Sequence, residues 1–177
     1  MNEERLWAPW RLGYVAGDQQ PEPMLPTSWL LGASQTCFVC RGAASFEDDL
    51  AARRENLVVE IGESAIAILN RYPYANGHLL VCPRRHVGNL CDLTEAESAE
   101  CQSMLAEFTE RYRTLIRADG FNIGLNLGTT AGAGVPGHLH WHLVPRWPGD
   151  SNFMPVTAGI RVIPQSLDEL WEALVKD

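Results

Sequence analysis

The sequence predicts an α+β fold, a five-stranded antiparallel sheet with one long helix and shorter helices packed against it. Three observations point there: short apolar runs separated by turn residues, one long stretch with helical periodicity, and histidines alternating with apolar residues from 138 to 142. Hairpin-type links among the first three runs favour antiparallel pairing, and such a sheet buries its apolar face by packing helices against it. At 177 residues the chain fits a single domain over 1–177, with an N-terminal arm and loop over about 1–36.

The arm comes first. Residues 5–15 combine Trp7, Trp10, Arg5, Arg11 and Tyr14 without a clean period, a composition suited to core capping or a subunit contact. Residues 17–36 carry Pro21, Pro23 and Pro26 among polar residues and read as an irregular loop. Cys37-Phe38-Val39-Cys40 is a C-x-x-C pair able to present both sulfurs to one ion, though such a pair alone also fits a redox couple or two small buried residues. Residues 45–55 suggest a short surface helix.

Two strands are expected over 56–61 and 65–70 around the turn Gly62-Glu63-Ser64, and a third over 78–82 after Asn76-Gly77, closed by Pro83. The long helix spans 94–118: Thr94 with Glu97 makes a capping box, and Cys101, Met104, Leu105, Phe108, Tyr112, Leu115 and Ile116 recur at three- and four-residue steps. Asp119-Gly120 is the expected stop, with Gly120 as the left-handed cap. A fourth strand covers 121–127 and the histidine strand follows a glycine-rich loop. Gly132, Gly134 and Gly137 match G-x-G-x-x-G, but a dinucleotide fold needs that loop to open a helix and here it opens a strand. What remains is a loop whose backbone N–H groups could approach phosphate. A short helix over 167–175, capped by Ser166 and Glu169, ends the chain.

The row His138-Leu139-His140-Trp141-His142 has the two-residue period of a strand, which puts all three imidazoles on one face. Neighbouring histidine Cα atoms then lie about 6.6 Å apart and the outer pair about 13 Å apart. Two could share an ion and three could not, so the residues hold different jobs. Metal ligation, nucleophilic catalysis with helpers, and a structural polar row all fit that pattern.

Bulk properties exclude several functions. With 22 acidic against 14 basic residues and a net charge of −8, a nucleic-acid backbone is not the expected partner. Nothing in the chain reaches the length of a membrane span or an export signal, so a cytoplasmic protein with no membrane partner is expected. Five cysteines in such a chain favour reduced thiols or a metal site over disulfides, and Cys82, Cys91 and Cys101 are expected to be small buried residues.

His138-Leu139-His140-Trp141-His142-Leu143-Val144 resembles the histidine triad (HIT) motif, and residues 70–93, with Gly77-His78-Leu79-Leu80-Val81 and Pro83-Arg84-Arg85-His86-Val87, resemble the upstream half of the same family. Residues 6–11, 120–128 and 145–153 are similar to its bacterial diadenosine tetraphosphate phosphorylase and hydrolase branch. The resemblance implies cleavage of a dinucleoside polyphosphate at an α-phosphate through a covalent nucleotidyl-histidine, in a protein that commonly forms homodimers. It makes His140 the nucleophile, with a hydrogen bond from its other ring nitrogen to a backbone carbonyl fixing the tautomer. His142 would meet the phosphate or bridging oxygens, and His78 would support the triad from a neighbouring strand. Asn70 matches a ribose-side residue and Asn126 a phosphate-side amide, with Gly128, Thr129, Thr130 and Gly134 completing the nucleotide and phosphate set. Many members carry Gln or Ser shortly before the triad, where this chain has Gly134 and Val135. Either Thr129 or Thr130 takes over, or backbone N–H groups do, or turnover is weak. The resemblance also joins Cys37, Cys40, His86 and His138 into a Cys2His2 structural zinc site. The alternatives are a nucleotide-binding regulatory HIT protein of low activity and a metalloenzyme using His140 and His142 at an open site.

Overall fold

The computed structural model describes residues 25–44, 49–150 and 163–176. The expected aromatic arm and most of the proline-rich loop lie outside them, while residues 25–36 form neither helix nor strand. Along the chain come α1 (Phe38–Ala43), α2 (Leu50–Glu55), β1 (Val58–Ile61), β2 (Ala65–Leu69), β3 (Leu79–Pro83), α3 (Glu95–Leu115), β4 (Gly120–Leu125), β5 (Trp141–Arg146) and α4 (Leu167–Lys176), with 3-10 turns at Leu90–Asp92 and Thr129–Ala131. The five strands form one sheet in the order β1-β2-β3-β5-β4, antiparallel at every pairing. This is the expected α+β architecture.

The long helix forms for the reasons its sequence carries. Glu97 N–H donates to Thr94 Oγ1 at 3.2 Å and Thr94 N–H to Glu97 Oε2 at 2.9 Å, so the two exchange bonds that satisfy otherwise orphaned donors of the first turn. Cys101, Met104, Leu105, Phe108 and Tyr112 form its buried stripe and pack on β2 and β3, whose residues are all buried. Its end departs from expectation. The helix stops at Leu115 and the left-handed turn belongs to Arg117 (φ 51), while Gly120 opens β4. Ala118 N–H, past the left-handed Arg117, turns back to Tyr112 O at 3.2 Å, so a non-glycine residue carries the local strain of the helix end.

Two further corrections bear on the site. The histidine strand begins only at Trp141, so His138 and His140 lie in a lead-in that is not strand, and His142 alone belongs to β5. Leu139 N–H donates to Val87 O at 2.8 Å, which ties this lead-in to the segment after β3 instead of to a strand. Cys91 is exposed rather than buried, because it sits in the 3-10 turn before α3; Cys82 and Cys101 are buried as expected.

Gly77 is held in its turn by φ 73 and by space: a Cβ there would stand 2.9 Å from Ile116 Cδ1 and 3.2 Å from Pro145 Cγ. That tight turn delivers the next residue, His78, to the start of β3. At the other end of the long helix, its start is locked by charge. Arg85 donates to both oxygens of Glu97 at 2.8 Å, and this pairing, assisted by the Thr94 hydrogen bonds, pulls the Glu97 carboxyl down to about 2 against the opposing effect of burial. In the unfolded chain the same carboxyl titrates near its ordinary 4.5, so the folded state holds fewer protons between those values and stability must fall as pH drops through that window. Glu97→Ala is expected to lower the unfolding free energy by about 2 kcal/mol at neutral pH and to flatten the loss of stability below pH about 4.5, both read from urea titrations.

Candidate functional site

Strand pairing brings the histidines together. In the β3–β5 ladder Leu80 faces His142, and His78, two residues before Leu80, shares its side of the strand and falls within diagonal reach. His78 Nε2 stands 2.9 Å from His142 Nδ1. The rings of His140 and His142 meet edge to face with centroids 5.1 Å apart, and Tyr74 stacks on His142 at 5.8 Å and tilts over His78 at 4.6 Å. His78 and His140 are 1% and 5% exposed, so these rings sit inside the protein wall.

Each imidazole has its nitrogens assigned by what surrounds them. His140 Nδ1 lies 2.8 Å from the backbone carbonyl of His138, which can only accept. The proton therefore sits on Nδ1, and Nε2 carries the lone pair a nucleophile needs. Burial, with the neighbouring His142 and His140 adding to it, pushes His78 down to about 3 and lowers His142 as well, so both are neutral near pH 7. His142 Nε2 is buried and has no hydrogen-bond partner among the described residues.

The flanking polar residues divide into two groups. Asn70 Nδ2 lies 3.2 Å from His78 Nδ1 while its Oδ1 accepts from Tyr72 N–H at 3.0 Å, which makes the amide part of the histidine network. Asn126 and Gly128 follow the end of β4; Thr129 and Thr130 form a 3-10 turn; Gly134 lies in the exposed loop beyond it. A Cβ at Gly134 would meet nothing within 4 Å among the described residues. Pattern reading missed Tyr74, whose aromatic signal inside Arg71-Tyr72-Pro73-Tyr74 has no period to reveal a stacking role.

On the other side of the same lead-in, Cys37, Cys40, His86 and His138 bring one donor atom each within 4.8 Å of one another, the cluster of possible metal ligands that the described residues contain. Cys37 precedes α1 and Cys40 lies in its first turn, so the helix itself turns both sulfurs inward. Cys40 Sγ lies 3.1 Å from His86 Nδ1 and 3.5 Å from His138 Nδ1; Cys37 Sγ lies 3.5 Å from His138 Nδ1. The two ring nitrogens stand 3.2 Å apart. His138 Nε2 donates to Pro83 O at 2.8 Å, which leaves its Nδ1 bare and aimed into the cluster. Burial pushes the Cys40 thiol up to about 11 and holds His138 down at about 4. Neutral imidazole donors are what a cation requires, and thiolates in so buried a place require the cation. The cluster could therefore hold one metal ion, and His138 joins it to His140 through its own backbone carbonyl.

With this geometry in place, comparison with known proteins is direct. The HIT domain family matches residues 53–149. The chain belongs to the HIT family. It is 42% identical over 164 residues to the AP-4-A phosphorylase of Mycobacterium tuberculosis, covering 93% of this chain and 78% of that protein. It is also 36% identical over 84 residues to the asymmetrical bis(5'-nucleosyl)-tetraphosphatase of Schizosaccharomyces pombe, covering 48% and 46% of the two chains. Among solved structures, a Zn-bound histidine triad family protein from Mycobacterium smegmatis superposes with a TM-score of 0.56 at 29% identity, covering 68% of this HIT chain and 81% of that one. No helix among the described residues is long and apolar enough to cross a membrane.

Metal analysis of the purified HIT protein is expected to find about one divalent ion per chain. Cys40→Ser should lose the ion and His140→Ala should keep it; loss in His140→Ala would instead mark an open-site metalloenzyme.

Proposed function

We propose that this HIT protein cleaves dinucleoside polyphosphates such as diadenosine tetraphosphate at an α-phosphate, through a nucleotidyl group carried on His140. The observation that carries this reading is the 2.8 Å bond from His140 Nδ1 to the His138 carbonyl, which leaves Nε2 as the attacking atom in a buried ring beside two neutral histidines. As Nε2 bonds to phosphorus, the bond to the leaving phosphate breaks and its electron pair stays on the departing oxygen. His142 meets that oxygen with its otherwise unpartnered Nε2, and the positive charge gained by His140 faces the His138 carbonyl dipole. Asn126, Gly128, Thr129, Thr130 and Gly134 line the approach, with backbone N–H groups of the loop serving where side chains are absent.

The acceptor in the second step is phosphate or water. The name of the mycobacterial relative supports phosphate, which would release ADP, whereas water releases AMP.

The ion in the Cys2His2 cluster is proposed to be zinc in a structural role. Zinc bonds of about 2.3 Å to sulfur and about 2.05 Å to nitrogen give tetrahedral edges of about 3.5 Å between S and N and about 3.3 Å between N and N. The observed 3.5 Å separations of His138 Nδ1 from both sulfurs and the 3.2 Å between the ring nitrogens lie near those edges, while Cys40 Sγ and His86 Nδ1, at 3.1 Å, stand closer. Bound there, it would tie α1 to the catalytic lead-in. The whole of 1–177 is proposed as one unit in a cytoplasmic homodimer, with five cysteines outside any disulfide, two of them in the metal cluster, fitting a reducing compartment and the edge strand β4, where Ile123 is 50% exposed, offering a face for a second copy.

Mixing the protein with diadenosine tetraphosphate should add one adenylyl mass to the intact chain, absent in His140→Ala, and added phosphate should turn the released nucleotide from AMP to ADP. Tight nucleotide binding with neither adduct nor turnover would instead make this a regulatory HIT protein.

A further inference from the structure

We propose that Gly124 is a specificity-determining residue: its missing side chain leaves room beside His142 for the departing polyphosphate to run out over the edge strand β4, where Asn122 donates to its distal phosphates. The inference deepens the functional reading above and rests on it, since it gives a place to the nucleotide that leaves.

Nothing in the fold asks for glycine here. Gly124 does not carry a positive φ, so its backbone suits any residue, and a Cβ there would meet nothing within 4 Å among the described residues. β4 and β5 pair residue for residue from Gly120 and Arg146 to Leu125 and Trp141, so no bulge explains it either. Glycine weakens a strand interior, and where backbone, packing and register are ordinary the remaining reason is close approach by a ligand or another chain. A second copy pairing with β4 would join in the plane of the sheet, whereas the missing Cβ points out of its face.

That face is the one bearing His142. Gly124 is its direct partner in the ladder, where facing Cβ atoms stand about 5 Å apart, so a larger side chain would lie along the imidazole. On the β3 side that imidazole is covered by His78, 2.9 Å away, and by the Tyr74 ring. On the β4 side the facing position has no side chain. Two residues before Gly124 the same face carries Asn122, and both are exposed. Asn122 Oδ1 accepts from Arg146 Nη1 at 2.7 Å, and Arg146 is itself held by Asp150. A guanidinium only donates, so this bond fixes the amide and leaves Nδ2, with no other partner among the described residues, to donate to an anion. An open floor beside the reacting centre, an oriented NH2 group farther out and the Arg146 charge behind it suit phosphates beyond the bond that breaks.

Two donors of the same adenylyl group supply the test. Diadenosine tetraphosphate loses ATP, whereas adenosine 5'-phosphofluoridate loses only fluoride. In Gly124→Val the ratio of kcat/KM for the first to that for the second should fall about tenfold, the scale of crowding a packed site. Asn122→Ala should lower the same ratio by about tenfold through one lost hydrogen bond to a charged group. Valine favours a strand, so thermal unfolding of Gly124→Val should show no loss of stability. A readout without turnover comes from nitrogen-15 spectra of the full-length protein. The Asn122 side-chain amide signals, assigned by their loss in Asn122→Ala, should move when inorganic tripolyphosphate is added. An equal loss on both donors in Gly124→Val would overturn the proposal, with a changed oligomeric state then marking the strand face as a contact between copies. Asn122 signals unmoved by tripolyphosphate would overturn it as well. Wild type inactive on both donors would fail the functional reading, while the tripolyphosphate spectra would still decide whether this face of β4 takes a polyphosphate.

Discussion

Three bonds made by one residue organise this protein. The ring of His138 gives its Nδ1 to the Cys37, Cys40 and His86 cluster, its Nε2–H to Pro83 O, and its backbone carbonyl to the Nδ1–H of His140. A carbonyl is a fixed acceptor, so the tautomer of His140 follows from where the His138 backbone lies. That backbone is placed in turn by the ring bonds and by Leu139 N–H on Val87 O. Stability on one side of the lead-in and chemistry on the other therefore share a single anchor, and displacement of either is felt by both.

The sheet makes this arrangement possible. Placing β5 between β3 and β4 sets His142 opposite both Leu80 and Gly124, so β5 is flanked on each side and its histidine cannot change faces without a register slip. The long connection from β4 to β5 carries Asn126 through His140, and its final residues must satisfy two clients, the metal cluster and the triad. An ordinary strand could not do this, since its alternation would direct His138 and His140 to one face. Ending the ladder at Trp141 frees His138 and His140 to point where the separate jobs require. The low proton affinities of His78 and His142 come first from the same enclosure, with the neighbouring histidines adding to it.

Most of the fold was legible because its signals are local. The capping box at Thr94 and Glu97, the buried stripe through Tyr112, and the turn at Gly62 each depend on residues within a few positions of one another. The helix end was misread because Gly120 is the usual left-handed residue, and only tertiary context shows Arg117 taking that conformation so that Gly120 can enter β4. The histidine alternation suggested one face, but the strand starts late because Leu139 bonds to the segment after β3, a contact far away in sequence. Cys37 and Cys40 were ambiguous by themselves, and family resemblance, not spacing, linked them to His86 and His138; the structure brings the four donors together. Asn70, expected on the ribose side, also has its amide beside His78, a contact set by the backbone of Tyr72, which carries no side-chain signature.

The central claim is that a backbone carbonyl leaves Nε2 of His140 as the nucleophile. Coupling between phosphorus-31 and nitrogen-15 in a nucleotidyl-enzyme trapped on labelled histidine reads that atom directly. A one-bond coupling to Nε2 of His140, with Nδ1 still protonated, is the predicted result. A bond to Nδ1 of His140, or to any other histidine, would contradict the account.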